Sequence, residues 1–577
     1  PRLEMRAFAG INLTNTALLT WNGSNQAWDG TNPGSLLAMN EGSSGHITIN
    51  EDASGGDVLV DALGQTDSNG SGNIQLSTED GNITVQAQSD AQPSDWPDIP
   101  ENNYAVRTAG SGNISLTSDG AGKDIILANV VHASDGTEGD VTMTATQGAI
   151  IDQMAGEDAN IVANTATLSA ESGIGRSGTS DTDTSDIDTT IQTLTATNST
   201  SGDIFIERTD DLIDGSDDLS IGGTGVQTQG GDDGHVVVTT IAGNMTVDSP
   251  VSANGSGNIR LDAGNNDSGS PNMTLNADVS SDSGHITVVG QNHVNQGDGA
   301  DISTGGGDIY VEAEDGSITM DRNSKAASNG GNIRYQAQNN VSLGGLDSGA
   351  GKVSIIANNG NILDSTTDAG NNGDVFTDVV AESLRLQAAN GIGTGTDHIE
   401  TAVGSTTLSA RAGIGGIFIT EDDDVTVGDV EVKVQEVAQS DASVTERTDA
   451  KQGDLVTSDG GDIVLQTLNG SITVNDGTAP NDDVGVNADG SGNIRLQAAS
   501  TERTANITLN ADVQTDSGDI SILAQDTVNQ NEDASAPGSF GDIITGTDGT
   551  IDVEATDGSI IMADGSYAQT DDSDIRY

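Results

Sequence analysis

The amino-acid sequence predicts an all-β fold, a parallel β-solenoid of roughly 25 rungs. Three observations carry that prediction. A short strand unit recurs from end to end, a much longer repeat is superimposed on it, and the composition denies the chain both helices and an aromatic core.

The short unit reads Gly, then Asn, Asp, Ser or His, then apolar, polar, apolar, polar, and often Ala. It occurs as GNITVQA from Gly81, GDIYVEA from Gly307, GNIRLQA from Gly492 and GDISILA from Gly518, with GHITI from Gly45 as a shorter version. Period-two alternation puts Ile83, Val85 and Ala87 on one face and Thr84 and Gln86 on the other, as in a strand with one buried side. Ile83, Ile259, Ile309 and Ile494 are therefore expected inside, and Thr84, Arg260, Tyr310 and Arg495 outside. Gly followed by Asn or Asp reads as a tight corner that uses positive φ.

The long repeat returns at 213 to 242 residues. GNIQLSTEDGNITV from Gly72 realigns with GDIYVEAEDGSITM from Gly307, an offset of 235, and NIRY ending at Tyr335 returns as DIRY ending at Tyr577. Three copies follow from these matches: residues 45–201, 202–415 and a truncated 416–577, preceded by a segment 1–44 that enters the solenoid. The drift in offset falls in polar stretches such as Glu431 to Ser458, which are read as loops that absorb insertions. With about 22 residues per rung and about 4.8 Å between strands, the rod would be about 125 Å long. Because the copy ending at Tyr335 runs on through QAQNNVSL, the solenoid is expected to continue past Tyr577, in the same chain or a neighbouring subunit.

Composition supports the same answer. Of 577 residues 76 are Gly, 2% are aromatic and 33% hydrophobic. Gly, Asn, Asp, Ser, Thr and β-branched residues oppose helices, and a β-sandwich or propeller usually leans on bulky aromatics. With 89 Asp plus Glu against 19 Lys plus Arg, the net charge of −70 excludes nucleic acid as a partner, since phosphate recognition needs a basic footprint. No run of 18 or more apolar residues exists, so no membrane span is expected in this segment. The chain has no cysteine, hence neither disulfides nor thiolate metal sites.

The run GIGTGTDHIETAVGSTTLSARAGIGGIFITEDDDVTVG from Gly391, with its counterpart from Gly173, resembles the repeats of very large bacterial surface proteins of the filamentous haemagglutinin and giant adhesin type. The resemblance implies a right-handed parallel β-helix, an extracellular or cell-surface address, and a structural or adhesive role. It brings no catalytic residue set. Its partners would be neighbouring copies or a continuation of the same protein, and cell-surface polysaccharide or other cells.

The residues themselves leave few sites. His46, His132, His235, His285, His293 and His398 are scattered, with no pair at ligand spacing, and read as corner residues replacing Asn or Asp. Carboxylate runs are the candidates for a metal: Asp181, Asp183 and Asp186 in DTDTSD, and Asp422 and Asp424, with Glu421 and Asp423, in EDDD. Calcium is the candidate ion, since clustered carboxylates suit a hard cation with six to eight oxygen ligands. The same carboxylates would have to serve a polysaccharide lyase or hydrolase, but Arg260, Arg334 and Arg495 recur at one outward strand position, as a repeated surface does rather than an active site. Asn-x-Ser/Thr sequons at Asn82, Asn113, Asn244, Asn272, Asn340 and Asn506 fall mostly on corner positions. Trp21, Trp28 and Trp96 are read as closing a coil end or packing under a loop. The expected function is an extracellular structural or adhesive fibre segment without catalytic activity; a self-assembling sheath or filament subunit and a polysaccharide-active enzyme are the alternatives.

Overall fold

Parallel strands stacked rung on rung account for almost all the regular structure, as the period-two alternation requires. The structure is a computed structural model that describes the chain apart from residues 1, 8, 16–34, 41–44, 53–55, 66–70, 87–103, 109, 134–137, 155–157, 176–185, 210–216, 232, 265–269, 366–376, 405–406, 478–481, 502–503 and 533–538. The three tryptophans lie outside the described residues. Among the described residues there is no helix, and so none long and apolar enough to cross a membrane. The chain divides into two compact units, Pro1–His285 with Val437–Val444, and Ile286–Glu436 with Thr445–Tyr577.

In the first unit, Ile204–Arg208, Val236–Thr240 and Ile259–Ala263 form one parallel ladder, with Ile204 beside Val236 and Val236 beside Ile259. A second ladder runs through Ile114–Ser118, Asp140–Ala145 and Thr165–Ala170. In the second unit Ile309 pairs with Ile333, Ile333 with Val353 and Val353 with Leu384, steps of 24, 20 and 31 residues. Two three-residue strands complete the turns that follow Ile309 and Ile333: Ile318–Met320 and Lys325–Ala327 pair with Val341–Leu343 and Gly345–Asp347 of the next rung. Each unit is a parallel β-helix, with like residues stacked on like.

The interior is a column of Ile, Val, Leu and Ala. Ile83, Ile259 and Ile309 are fully buried and Ile494 nearly so, while Thr84 and Arg260 are half-buried and Arg495 is exposed. Tyr310 departs from the expectation. It stands on the outer face yet is buried, because Val430, Val432 and Val434 pack over it. Those valines belong to the stretch read as an insertion loop, which instead forms the strands Val430–Val437 and Val444–Gln452 of a two-stranded sheet. In the first unit, Val437 and Ala442 cover the outward Phe205 and Val237 in the same manner.

The corners also differ from the expectation in their physical cause. The motif glycines Gly492 and Gly518 do not have positive φ. A Cβ on Gly518 would lie 1.9 Å from the Gly492 carbonyl oxygen, and one on Gly492 would lie 2.2 Å from that of Gly461. Close stacking of successive corners, rather than backbone handedness, demands glycine here. The corner residue just before each strand, after Gly at Asp57 and Asn82 and after Lys123 at Asp124, then builds a ladder along the corner: Asp57 Oδ1 accepts the Asn82 N–H at 2.7 Å, Asn82 Oδ1 that of Asp124 at 2.8 Å, and Asp124 Oδ1 that of Ala149 at 2.8 Å. Inward Ser and Thr hydroxyls satisfy the stacked glycine carbonyls, as Thr457 does for Gly461 at 2.6 Å and Ser281 for Gly257 at 2.7 Å. Every one of these bonds pairs a backbone group that a corner would otherwise leave unpaired.

Candidate functional site

The corner ladder accounts for several polar residues first. His46, His235 and His293 use Nδ1 as Asn uses Oδ1, accepting the N–H of Asn73, Asn258 and Ser317 at 2.9 to 3.0 Å. The sequon residues Asn82, Asn113, Asn244, Asn340 and Asn506 each accept a backbone N–H of the following rung, and Asn272 donates to Asn244. Asp424 joins this class, its Oδ1 accepting the Ser471 N–H at 2.7 Å.

The rest of the EDDD run does not converge. Asp422 and Asp423 are exposed, whereas Glu421 is fully buried. Its Oε1 accepts the Val403 N–H at 2.8 Å and its Oε2 the Thr401 hydroxyl. Burial pushes the Glu421 carboxyl up to about 8 against the pull of those hydrogen bonds. Its position follows from register, Thr401 of Ile399–Ala402 lying beside Glu421 of Gly416–Glu421.

Of the DTDTSD run, Asp181 and Asp183 lie outside the described residues. Asp186 meets the buried Asp188 and Glu207, one carboxylate oxygen of each lying within 4.8 Å of the others. Asp188 and Glu207 face each other because their strands pair in parallel, Ile187 with Ile206. Glu207 Oε2 also accepts from the Thr239 hydroxyl at 3.2 Å and the Gln439 amide at 3.3 Å.

A second carboxylate group, in the other unit, was not singled out from the sequence. Asp364, Asp378 and Glu400 are all buried and place one oxygen each within 4.8 Å of the others. Asp364 ends the strand Ile362–Asp364, Asp378 precedes Val379–Val380, and Glu400 lies in Ile399–Ala402, beside which Val379–Val380 stacks. Burial holds the Asp378 carboxyl well above the ordinary range, and the nearby Asp364 charge adds to the effect. The three lie up to 36 residues apart in sequence and meet only through stacking. The available signal was acidic residues within or just before short, otherwise apolar strands.

The recurring arginines serve different ends. Arg260 Nη2 meets Asp262 at 2.6 Å and Arg260 Nη1 donates to the Val437 carbonyl at 2.7 Å. Arg334 pairs with Asp449, and Arg495 donates to Gln497 on the open surface. Cations gather at one place in the second unit. A cleft of about 320 Å³ is lined by Arg385, Arg411 and Lys451 together with Gln387, Gln452 and Ser458. Lys451 also reaches Asp429 at 3.4 Å. Such a surface can hold an anionic group by charge-assisted hydrogen bonds.

No family model, curated protein or solved structure matches the chain.

Proposed function

We propose that this chain is a structural segment of an extracellular or cell-surface β-solenoid fibre, serving as a stalk, adhesin or matrix filament. The observation that carries the reading is the corner ladder. Three of the histidines, five sequon asparagines and Asp424 hold one rung on the next, as a load-carrying stack requires and an active site does not. A solenoid gains length by adding rungs that depend only on their neighbours, which suits a fibre. The adhesive part of the reading rests on the Arg385, Arg411 and Lys451 cleft, a cationic patch in a chain of net charge −70. Its ligand would be an acidic group such as a uronate or sulfate of a surface polysaccharide.

The test is immunogold electron microscopy of the native cells with antibody raised against the purified chain. Gold along filaments outside the cell supports the reading. Gold confined to the cell interior overturns it.

A further inference from the structure

The long repeat carries one rung in two versions, and they differ in the middle of the buried carboxylate group. Residues 139–153, GDVTMTATQGAIIDQ, align without a gap with residues 351–365, GKVSIIANNGNILDS, so that Asp152 corresponds to Asp364. The next strands, Ile161–Val162 and Val379–Val380, stack in the same register, Ile161 beside Thr189 and Val379 beside Thr401. Asn160 therefore corresponds to Asp378, and Asp188 to Glu400.

In the first version the central residue is satisfied on both sides. Asn160, with no exposed surface, accepts the Asp188 N–H on Oδ1 at 2.8 Å and donates from Nδ2 to Asp152 Oδ1 at 2.6 Å. In the second version Asp378 keeps the first of these bonds, Oδ2 accepting the Glu400 N–H at 2.9 Å. In place of the second bond two acidic side chains meet, Asp378 and Asp364, and as carboxylates neither supplies the hydrogen that the Asn160 amide gives. Asp378 is 1% exposed, and its Oδ1 is buried without a hydrogen-bond partner. Buried polar atoms are nearly always paired, and a buried charge normally meets an opposite charge or a metal.

We propose that Asp364, Asp378 and Glu400 bind a calcium ion, which fills the role that the Asn160 amide hydrogens fill in the first version. Oxygens within 4.8 Å of one another share a centre at most about 2.8 Å from each, so a small side-chain adjustment suffices for the calcium distance of about 2.3–2.6 Å. An all-carboxylate set selects a hard cation over zinc or copper, which favour nitrogen and sulfur donors. Magnesium gives up its waters reluctantly, so a buried set of three carboxylates suits calcium better.

The test is calorimetric titration of the metal-stripped chain with calcium chloride at constant ionic strength, alongside melting curves with and without calcium. Asp378→Asn recreates the first version of the rung, so it is expected to fold and to be at least as stable as the wild type without calcium. It should bind one calcium ion fewer per chain and lose several degrees of calcium-dependent stabilisation. Asp557→Asn, which removes one exposed charge elsewhere, should leave both quantities unchanged. The reciprocal Asn160→Asp should gain one site. The proposal is overturned if Asp378→Asn keeps the wild-type stoichiometry and calcium response, or if neither chain binds calcium saturably and Asp378→Asn instead removes a rise in melting temperature on acidification, the signature of a shared proton. Should Asp378→Asn fail to fold, Asn160→Asp decides alone: a gained site supports calcium, and an unchanged stoichiometry contradicts it.

Discussion

Arg334 holds both carboxylate oxygens of Asp449, with Nε at 3.1 and 3.0 Å and Nη2 at 3.0 Å from Oδ1. Both side chains are largely buried, and the guanidinium lies 5.1 Å from the Tyr310 ring centroid. The pair ties the strand Val444–Gln452 to the outer face of the coil, where Val430, Val432 and Val434 cover Tyr310.

Removing one partner leaves the other charge buried. Arg334→Ala or Asp449→Ala should destabilise this covering by about 3–5 kcal/mol, read as faster hydrogen exchange across Thr445–Gln452, whereas the double change to Met and Leu should cost much less. Equal exchange rates in wild type and single variants would show that the pair is incidental.

Glu421 makes stability depend on pH. Its folded-state value of about 8 lies above the ordinary 4.5, so between those values the folded chain keeps a proton that the unfolded chain has lost. Stability from this group is present below pH 4.5 and declines as pH rises towards 8, by up to about 1.4 kcal/mol per unit. Glu421→Gln should flatten that decline and melt higher than wild type at pH 8, with little difference at pH 4. Parallel melting-temperature profiles for the two chains would refute the assignment.

The stacked glycines give a steric prediction. Gly518→Ala puts a Cβ 1.9 Å from a backbone oxygen and should cost about 1–3 kcal/mol, with proteolysis appearing near that corner. Gly231 has no neighbour within 4 Å of its would-be Cβ, and Gly231→Ala should be nearly neutral. Equal melting temperatures for the two variants would contradict close stacking as the reason for glycine.

The cationic cleft predicts a binding preference. Arg411→Glu and Lys451→Glu should weaken binding to polygalacturonate at least about tenfold, roughly 1.4 kcal/mol, and leave any binding to neutral dextran unchanged. Biolayer interferometry at fixed salt reads this directly, and undiminished binding by both variants removes the cleft from the adhesive account.

The strands were legible in the sequence because alternation is a local property: Ile83 and Thr84 declare their faces within the motif itself. What alternation does not reveal is a second layer. Val430, Val432 and Val434 alternate as any strand does, but nothing local says that they lie over Tyr310 rather than in the core. The carboxylate groups were hidden for a related reason. Asp364, Asp378 and Glu400 converge through register across insertions of unequal length, while the conspicuous EDDD run scatters because its strand ends at the inward Glu421 and Asp422 and Asp423 fall in the exposed bend before Val425–Val427. Gly492 and Gly518 were correctly placed at corners with the wrong cause, since only stacking reveals how closely one rung approaches the next.

The central claim is that each corner amide is held by a side chain of the preceding rung, and residue-resolved hydrogen exchange tests it most directly. The N–H groups of Asn82, Asp124, Asn258, His285, Asn493 and Asp519 donate to such caps at 2.7 to 2.9 Å. They should exchange as slowly as the neighbouring strand amides of Ile83, Ile259 and Ile494. Exchange at the rate of open turns, with only the strand amides protected, would contradict the stacked-rung account.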